Sequence, residues 1–117
     1  MRYPVGQRHS YSNLGIDLAG YVLQVVSRKP FAQVMKDTVL DPLEMKSSSF
    51  DWARTRANSN RAIGHSKGFS TVPLEFAIIP SGALYSSAAD MAKYIRFQLN
   101  EGRVGGQSIL DAKLLKE

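Results

Sequence analysis

Cysteine is absent from this chain of 117 residues. The absence excludes disulfide bonds, thiolate metal sites and thiol nucleophiles, but it leaves the cellular compartment open because many exported proteins also lack cysteine. No apolar run approaches the ~18 residues that cross a bilayer, and residues 1–10 lack the apolar core of a secretory signal. We therefore expect a soluble chain without a membrane span, and the sequence does not specify its localisation.

The composition that remains is typical of a folded protein. Hydrophobic residues make up 44% of the chain and charged residues 21%, which at this length fits one globular domain able to bury a core. The two histidines, His9 and His65, lie far apart, and neither has an acid or a second histidine at metal-ligand spacing. We predict neither a metal site nor a cofactor.

The net charge of +5 and the isoelectric point near 9.7 raise the question of nucleic acid. The densest basic cluster, Arg54, Arg56 and Arg61, has no aromatic neighbour beyond Trp52. Binding to single-stranded nucleic acid combines basic side chains with aromatic ones on which bases stack. We interpret this cluster as a solvated surface loop and predict no nucleic-acid partner.

The first 42 residues contain two helical patterns. Apolar residues recur at helical spacing from Leu14 to Val26. Pro30 separates this run from a second one over residues 31–39, which Asp41-Pro42 ends. Because the two helices are joined so tightly, we expect them to pack their apolar faces against a common core.

A long irregular connection is expected over residues 43–86. Serine, asparagine and glycine clusters interrupt residues 43–73, and so long a loop is unusual unless part of it lines or covers a site. Within it, Trp52 fits either a core anchor or a wall of a substrate cleft. A short apolar run from Leu74 to Ile79 follows, and Pro80-Ser81-Gly82 is a turn signal.

Residues 87–117 predict a capped helix and the start of a further one. Ser87 and Asp90 have the spacing of a capping box, in which the Ser87 hydroxyl accepts from the Asp90 amide and the Asp90 side chain reaches back to Ser87. This helix is expected to end at Gly102, and Asp111 is the expected N-cap of the next. Because a domain rarely ends inside a helix with an apolar face still to bury, we expect the sequence to be part of a longer one.

Tyr11-Ser12-Asn13 is the stretch with the residue types of a reaction centre. It ends an irregular opening segment and begins the first predicted helix, where free backbone donors anchor the turn. A phenol and a carboxamide two residues apart can there face the same cleft. A buried aromatic residue beside an ordinary helix cap explains the same residues without any chemistry.

Three motifs in series resemble the serine β-lactamase-like superfamily. They are Tyr11-Ser12-Asn13 followed by Leu-Gly and an amphipathic helix, DPLEM at residues 41–45, and PSGALYSSAAD at residues 80–90 before a helix. The pattern is most similar to the branch that contains class C β-lactamases, D-alanyl-D-alanine peptidases and family VIII carboxylesterases. The resemblance covers nearly the whole chain.

This resemblance implies a mainly α fold, namely the helical lobe of a two-lobed enzyme whose other lobe is mixed α/β, truncated at both ends. Enzymes of this family acylate and deacylate a serine, using Ser-x-x-Lys, Tyr-x-Asn and a strand motif such as Lys-Thr-Gly. Tyr11 would match the tyrosine that exchanges protons with the nucleophile and the leaving group. Asn13, with Ser12 beside it, would match the amide that binds the acyl side chain of the substrate.

The chain also departs from the family pattern. No serine or threonine is followed three positions later by lysine, and neither Lys-Thr-Gly nor His-x-Gly occurs. The resemblance therefore implies that the nucleophile, its lysine and the oxyanion-side strand come from other polypeptide, and that the chain alone is inactive.

Two hypotheses follow. The first is a section of a serine hydrolase that acts on a small-molecule β-lactam, peptide or ester. The second is a non-catalytic remnant or binding module of the same fold, which needs the missing lobe or a second copy of the chain to cover its faces.

A competing motif occurs at residues 64–68, where Gly-His-Ser-Lys-Gly matches the nucleophile elbow of α/β-hydrolases. That elbow requires a buried strand before Ser66 and a helix after it, with a histidine later in the chain. The sequence has few apolar residues before Ser66, and Pro73 opposes a helix after it. No histidine follows Ser66 in the chain. We interpret the motif as a glycine-rich loop.

Overall fold

Helices form most of the regular structure in the part of the chain that the computed structural model describes, residues 3–72 and 79–115. The mainly α fold is as predicted from the sequence. Most of the predicted apolar run from Leu74 to Ile79 lies outside the described residues. In chain order the elements are α1 (Asn13–Ser27), α2 (Phe31–Met35), a π-helix (Lys36–Leu40), α3 (Trp52–Ala57), β1 (Gly64–Ser66), β2 (Phe69–Val72), α4 (Ile79–Gly82), α5 (Ala88–Leu99), β3 (Arg103–Val104) and β4 (Gln107–Ser108).

Ser12 begins helix α1. Its hydroxyl accepts a hydrogen bond from the Gly15 amide at 3.1 Å, which satisfies one of the free donors of the first turn. Arg28 follows the last turn in the left-handed conformation, with φ of 55°. The predicted helix start at Tyr11-Ser12-Asn13 is therefore confirmed.

The second predicted helix is present, but it changes type halfway. The Phe31 amide donates to Gln24 Oε1 at 2.7 Å, so a side chain of α1 satisfies a free donor at the start of α2. After Met35 the chain widens into the π-helix, which ends where the Asp41 amide donates to the Lys36 carbonyl at 2.9 Å. Hydrophobic spacing predicts a helix here, but it does not distinguish an α turn from a π turn.

The core lies between the π-helix, the segment that follows it and α5. Its buried side chains are Leu40, Leu43, Met45 and Phe97, and the partly buried side chains packed against them are Phe50, Met91, Val104, Leu110 and Leu115. The rings of Phe31 and Phe50 meet edge to face at 5.1 Å and extend this packing to α2. Full burial of one such side chain contributes about 1.5–3 kcal/mol to the stability of the folded chain. The stability of the described chain therefore resides mainly here.

Helix α1 contacts the rest of the molecule through small and polar residues. Gly20 is buried so closely against Pro80 that a Cβ atom would lie 2.3 Å from the Pro80 Cγ, and Asp17 Oδ1 accepts from the Ser81 amide at 3.0 Å. The large apolar side chains of α1 are exposed: Leu14, Ile16, Leu18, Tyr21, Val22, Leu23, Val25 and Val26. The prediction that α1 packs its apolar face against a core shared with α2 is therefore wrong within the described residues.

The open packing of α1 agrees with the dimensions of the chain. The Cα radius of gyration is 16.6 Å, whereas a compact domain of this length has a radius of about 13 Å. Six of the exposed apolar residues of α1 lie on one side of the helix at 3.6 residues per turn, and we refer to them as the α1 apolar face: Leu14, Leu18, Tyr21, Val22, Val25 and Val26.

Helix α5 begins as predicted at Ser87, whose hydroxyl accepts from the Asp90 amide at 3.2 Å. The reciprocal half of the predicted capping box is wrong. The Asp90 carboxylate, only 3% exposed, accepts instead from the Ser47 amide at 2.7 Å, the Ser48 hydroxyl at 2.9 Å and Lys93 Nζ at 2.9 Å. Burial raises the pKa of this carboxyl group, but these donors outweigh burial and hold the pKa below its usual value.

The chain after α5 forms a hairpin instead of leading directly to another helix. Arg103 pairs with Ser108 across Gly105-Gly106, and residues 112–115 form turns. The Lys113 amide donates to Asp111 Oδ1 at 2.9 Å, which is the hydrogen bond expected of an N-cap residue. The predicted cap at Asp111 is therefore confirmed, whereas residues 112–115 form turns and not the predicted helix.

Candidate active-site residues and a basic cavity

The predicted site residues lie at the start of α1. Tyr11 precedes the cap residue and is 81% exposed, and Asn13 occupies the first helical position and is also exposed. A buried aromatic residue beside a cap is thus the wrong interpretation of Tyr11. Within the described residues the Tyr11 hydroxyl has no hydrogen bond or ion pair, so the phenol is open to a group from outside them.

Ser12, between these two residues, has a structural role in α1. Its Oγ accepts the Gly15 amide hydrogen, which leaves the hydroxyl hydrogen free because a serine hydroxyl both donates and accepts. A substrate contact from Ser12 would use that remaining hydrogen. The substrate-binding role of Ser12 stays a prediction.

Two of the motifs that the sequence analysis singles out meet where α1 contacts α4. Asp17, one turn after Asn13, accepts from the Ser81 amide, and Gly20 packs against Pro80. The start of α1 is thereby held beside the segment that leads into α5. The contact combines a hydrogen bond with the close approach of the Gly20 backbone to the Pro80 ring. It therefore fixes the orientation of α1 relative to α4.

The remaining motif, residues 41–45, lies in the core. Leu43 and Met45 are buried there, and Lys93 of α5 donates to the Glu44 carbonyl. This motif therefore contributes packing, and it joins α5 to the segment after the π-helix.

A cavity of about 780 Å³ opens between residues 46–64 and Tyr85-Ser86. Trp52 forms part of its wall, and its ring lies 5.4 Å from the Tyr85 ring with an interplanar angle of 34°. Of the two interpretations of Trp52, the structure favours a cleft wall. The long connection thus lines a cavity, as its length predicts.

The basic cluster lies at this cavity. Its lining includes the side chains of Lys46, Arg54, Arg56 and Arg61. Arg54 and Arg56 belong to α3 and are exposed, whereas Arg61 lies outside any helix or strand. The predicted solvated surface is therefore confirmed for Arg54 and Arg56, but the predicted loop is wrong for these two residues. The sequence predicted that the connection lines a site but not that the arginines lie there, because the cavity forms only when Ser49 and Tyr85, distant in sequence, pair through backbone hydrogen bonds of 2.8 and 2.9 Å.

Ser66 lies in an antiparallel hairpin. It pairs with Phe69, and Gly64 pairs with Val72, across a turn that contains Gly68 with φ of 87°. A nucleophile elbow needs a helix directly after the serine, whereas strand β2 follows here. The structure therefore does not support the α/β-hydrolase interpretation.

Other acidic groups form structural contacts. Asp37 accepts from Lys29 Nζ at 2.8 Å and from Gln33 at 2.6 Å, and these hydrogen bonds, that from Lys29 foremost, hold the pKa of Asp37 below its usual value. In the described part of the chain, no cluster of three or more histidine or acidic residues is placed to hold a metal ion. No helix within residues 3–72 and 79–115 has the length and apolar character needed to span a membrane.

Known proteins are similar to this chain in sequence. The β-lactamase family model matches residues 1–117. The chain is 34% identical over 118 residues to Beta-lactamase-like protein 2 of Dictyostelium discoideum, covering 97% of this chain and 21% of that protein. It is 31% identical over 105 residues to Protein flp of Staphylococcus aureus (strain MW2), covering 86% of this chain and 21% of that protein. The chain thus spans about a fifth of the length of these curated relatives.

Solved structures share the fold. An octameric penicillin-binding protein homologue from Pyrococcus abyssi matches 95% of this chain and 25% of its own, with a TM-score of 0.78 and 28% identity. A β-lactamase from Sulfitobacter sp. EE-36 matches 90% of this chain and 29% of its own, with a TM-score of 0.65 and 24% identity, which shows the fold alone. The predicted helical-lobe fold is therefore confirmed, and the match of the family model over all 117 residues shows that the chain belongs to the β-lactamase family.

Proposed function

We propose that this chain is the helical-lobe section of a serine hydrolase that acts on the acyl carbonyl of a β-lactam, a peptide or an ester. Tyr11 is the proton-transfer residue in this proposal, and Asn13 binds the acyl side chain of the substrate. The observation that carries the proposal is the joint exposure of both side chains at the start of α1, in a chain of the β-lactamase family.

The proposed chemistry is acylation and deacylation of a serine supplied by further polypeptide. As the serine oxygen bonds to the carbonyl carbon, its proton passes to the Tyr11 oxygen. Tyr11 then returns the proton to the departing nitrogen or oxygen, and a water molecule later releases the acyl group by the same route in reverse. A free phenol ionises only near about pH 10, so a lysine from that polypeptide must favour the phenolate. Proton transfer of this kind contributes about 10²- to 10⁴-fold to a rate.

The α1 apolar face supports completion of the site by additional polypeptide. Leu14 is 78% exposed and Val26 77% exposed, although covering such a side chain stabilises a protein by about 1.5–3 kcal/mol. Contiguous exposed apolar surface marks an interaction site. Because the face begins one residue after Asn13, polypeptide that covers it lies next to the proposed reaction centre.

A second candidate function is a non-catalytic binding module of the same fold. The α1 apolar face favours it equally, because the missing lobe or a second copy of this chain can cover that face without any chemistry. The two candidates differ in whether an acyl-serine forms.

The test begins with the coding sequence on both sides of residues 1–117. An in-frame Ser-x-x-Lys upstream supports the hydrolase, and the protein that carries it is then treated with a chromogenic β-lactam and a p-nitrophenyl ester while acyl adducts are sought by mass spectrometry. An adduct on the motif serine is the expected result. A correctly folded protein without turnover and without an adduct favours the binding module.

Variants of the same longer protein test the roles of the two residues. Tyr11→Phe is expected to lower kcat by about 100-fold or more, and Asn13→Ala to raise KM for substrates with a polar acyl side chain. Tyr21→Phe is the matched control, since Tyr21 is also exposed on α1, at 60%. Equal activity of Tyr11→Phe and Tyr21→Phe would remove Tyr11 from the mechanism.

A further inference from the structure

We propose that the basic cavity binds an organic anion, namely a carboxylate or phosphate attached to a flat apolar group. This site is built from residues 46–64 and Tyr85-Ser86, and its described lining does not include Tyr11, Ser12 or Asn13. The proposal does not depend on the proposed acyl transfer, because it concerns binding by residues of this chain alone.

The first argument is charge. Lys46, Arg54, Arg56 and Arg61 line the cavity, and no aspartate or glutamate is among the described lining residues. Two acidic residues lie close to the lining residues, and both already have partners. Asp51 caps α3 by accepting from the Ala53 amide at 2.8 Å, and Asp90 pairs with Lys93. Like charges gathered without counter-ions repel one another, and an anionic ligand relieves that repulsion.

The second argument is the guanidinium group of Arg61, a residue of the cavity lining. The planar guanidinium group matches the paired oxygens of a carboxylate or a phosphate. Its Nε is shielded from solvent and has no hydrogen-bond partner in the described part of the chain, so an anion in the cavity would bind to the terminal nitrogens of the group.

The third argument is the aromatic wall. The Trp52 and Tyr85 rings lie together, and the backbone pairing of Ser49 with Tyr85 fixes this wall. The volume of about 780 Å³ falls in the range of small-molecule sites, roughly 300–1,000 Å³. A cavity that combines a flat apolar wall with guanidinium groups recognises a ligand with a flat apolar part and an anionic end. A bare inorganic ion would leave the wall unused.

The hydroxyl groups at the cavity are largely engaged within the protein. Ser48 Oγ donates to Asp90 at 2.9 Å, Ser49 Oγ accepts from the Asp51 amide at 2.9 Å, and Thr55 Oγ1 donates to the Asp51 carbonyl at 2.9 Å. The basic side chains are therefore the main source of polar recognition, which favours an anion over a neutral sugar.

Trp52 is the only tryptophan of the chain, so its fluorescence reports on this cavity directly. We would titrate the 117-residue chain with phenyl phosphate, phenylacetate, inorganic phosphate and benzyl alcohol at matched concentration and ionic strength. A saturable change with at least one aromatic anion, at lower concentration than with inorganic phosphate or benzyl alcohol, is the expected result. Comparison of phenyl phosphate with phenylacetate identifies the preferred anionic group. Absence of saturation with both aromatic anions, or equal binding of benzyl alcohol or of inorganic phosphate, overturns the proposal.

Variants test whether Arg61 holds the anion. Arg61→Gln is expected to weaken binding about tenfold, the effect of losing one charge-assisted hydrogen bond, and Arg61→Lys to recover part of the loss. Arg96→Gln, which removes an exposed arginine of α5 that is not among the lining residues, is the matched control and is expected to bind as the unmodified chain does. If Arg61→Gln fails to unfold cooperatively in urea, Arg54→Gln on the exposed side of α3 replaces it, with about threefold weaker binding expected. Equal affinities of the cavity variant and the control overturn the proposal.

Discussion

Helices α1 and α5 have similar sequence patterns but differ in what they bury. Each begins at a serine cap and has apolar residues at helical spacing. Helix α5 exposes Ile95 and Leu99 but buries Phe97 in the core, whereas α1 buries Gly20 and exposes its large apolar side chains. The comparison teaches that hydrophobic spacing establishes that a helix has an apolar face, but not that the same chain covers it.

The residues between the helices explain the difference. The core side chains of residues 40–45 and Val104 of the hairpin after α5 belong to the same cluster as Phe97, so one side of α5 is covered. Helix α1 instead meets the short helix α4 through Asp17 and Gly20. Asp17 and Gly20 are used for contacts inside the described chain, and the α1 apolar face is exposed, which is where the proposed function places additional polypeptide.

The largest expected effect is the difference in stability between removing a buried side chain of α5 and removing an exposed side chain of α1. Phe97→Ala removes a buried ring and is expected to lower the free energy of unfolding by about 3–5 kcal/mol. Leu18→Ala, at a side chain that is 61% exposed on α1, is expected to change it by less than about 0.5 kcal/mol. Urea denaturation followed by Trp52 fluorescence measures both. Comparable losses from the two variants would show that α1 is packed in solution and would break the comparison.

A second prediction concerns the buried carboxylate of α5. Asp90→Asn is expected to lower the free energy of unfolding by about 2–3 kcal/mol, because it weakens charge-assisted bonds to Ser47, Ser48 and Lys93. Asp41→Asn is the control, since the ion pair of Asp41 with Lys36 is exposed and such pairs contribute about 0–1 kcal/mol.

The pH dependence of that difference follows from the lowered pKa of Asp90. The folded chain binds the Asp90 proton less readily than the unfolded chain does, so the stabilisation is fully present above the ordinary aspartate pKa of about 3.9 and is lost as pH falls below it. The gap between the unmodified chain and Asp90→Asn should therefore be constant from neutral pH to about pH 5 and shrink in more acidic solution. A gap that grows on acidification contradicts the assigned contacts.

The third prediction tests the contact through which α1 is held. Gly20→Ala places a methyl group against the Pro80 ring, and overpacking of this kind costs about 1–3 kcal/mol, more than the gain in helix propensity of about 1 kcal/mol. Gly15→Ala is the matched control on the same helix, because its Cβ would meet only Ser12 atoms at 3.6 Å. We expect Gly15→Ala to stabilise the chain slightly in thermal and urea denaturation. Stabilisation by both variants would mean that α1 does not lie against α4.

The sequence predicted the features of this fold that depend on neighbouring residues. The helix start at Ser12 and the cap at Ser87 were predicted because a side-chain acceptor and the amide three residues later determine them. The family was predicted from motifs that follow one another along the chain.

The remaining features arise from contacts between distant residues, which spacing does not reveal. Asp90 was expected to bond back to Ser87, but the Ser47 amide reaches it from another part of the chain. The basic cavity likewise requires Ser49 to pair with Tyr85, so the sequence shows the three arginines as a cluster but not the cavity that they line. The contacts of Asp17 and Gly20 in α1 likewise depend on the position of α4, which is distant in sequence.

The smallest expected effect is the loss of a helix cap, which should lower the stability equally in α1 and α5. Ser12→Ala and Ser87→Ala each remove the hydroxyl that accepts an amide hydrogen of the first turn, and loss of such a cap costs about 1 kcal/mol. Ser12→Thr and Ser87→Thr keep the acceptor and serve as controls in the same urea denaturation. Because a cap acts within its own turn, the two losses should be equal even though only α5 contributes a large buried side chain to the core. If only Ser87→Ala lowers the stability, α1 unfolds independently of the core, and the start of α1 would then need the covering polypeptide to hold Tyr11 and Asn13 in place.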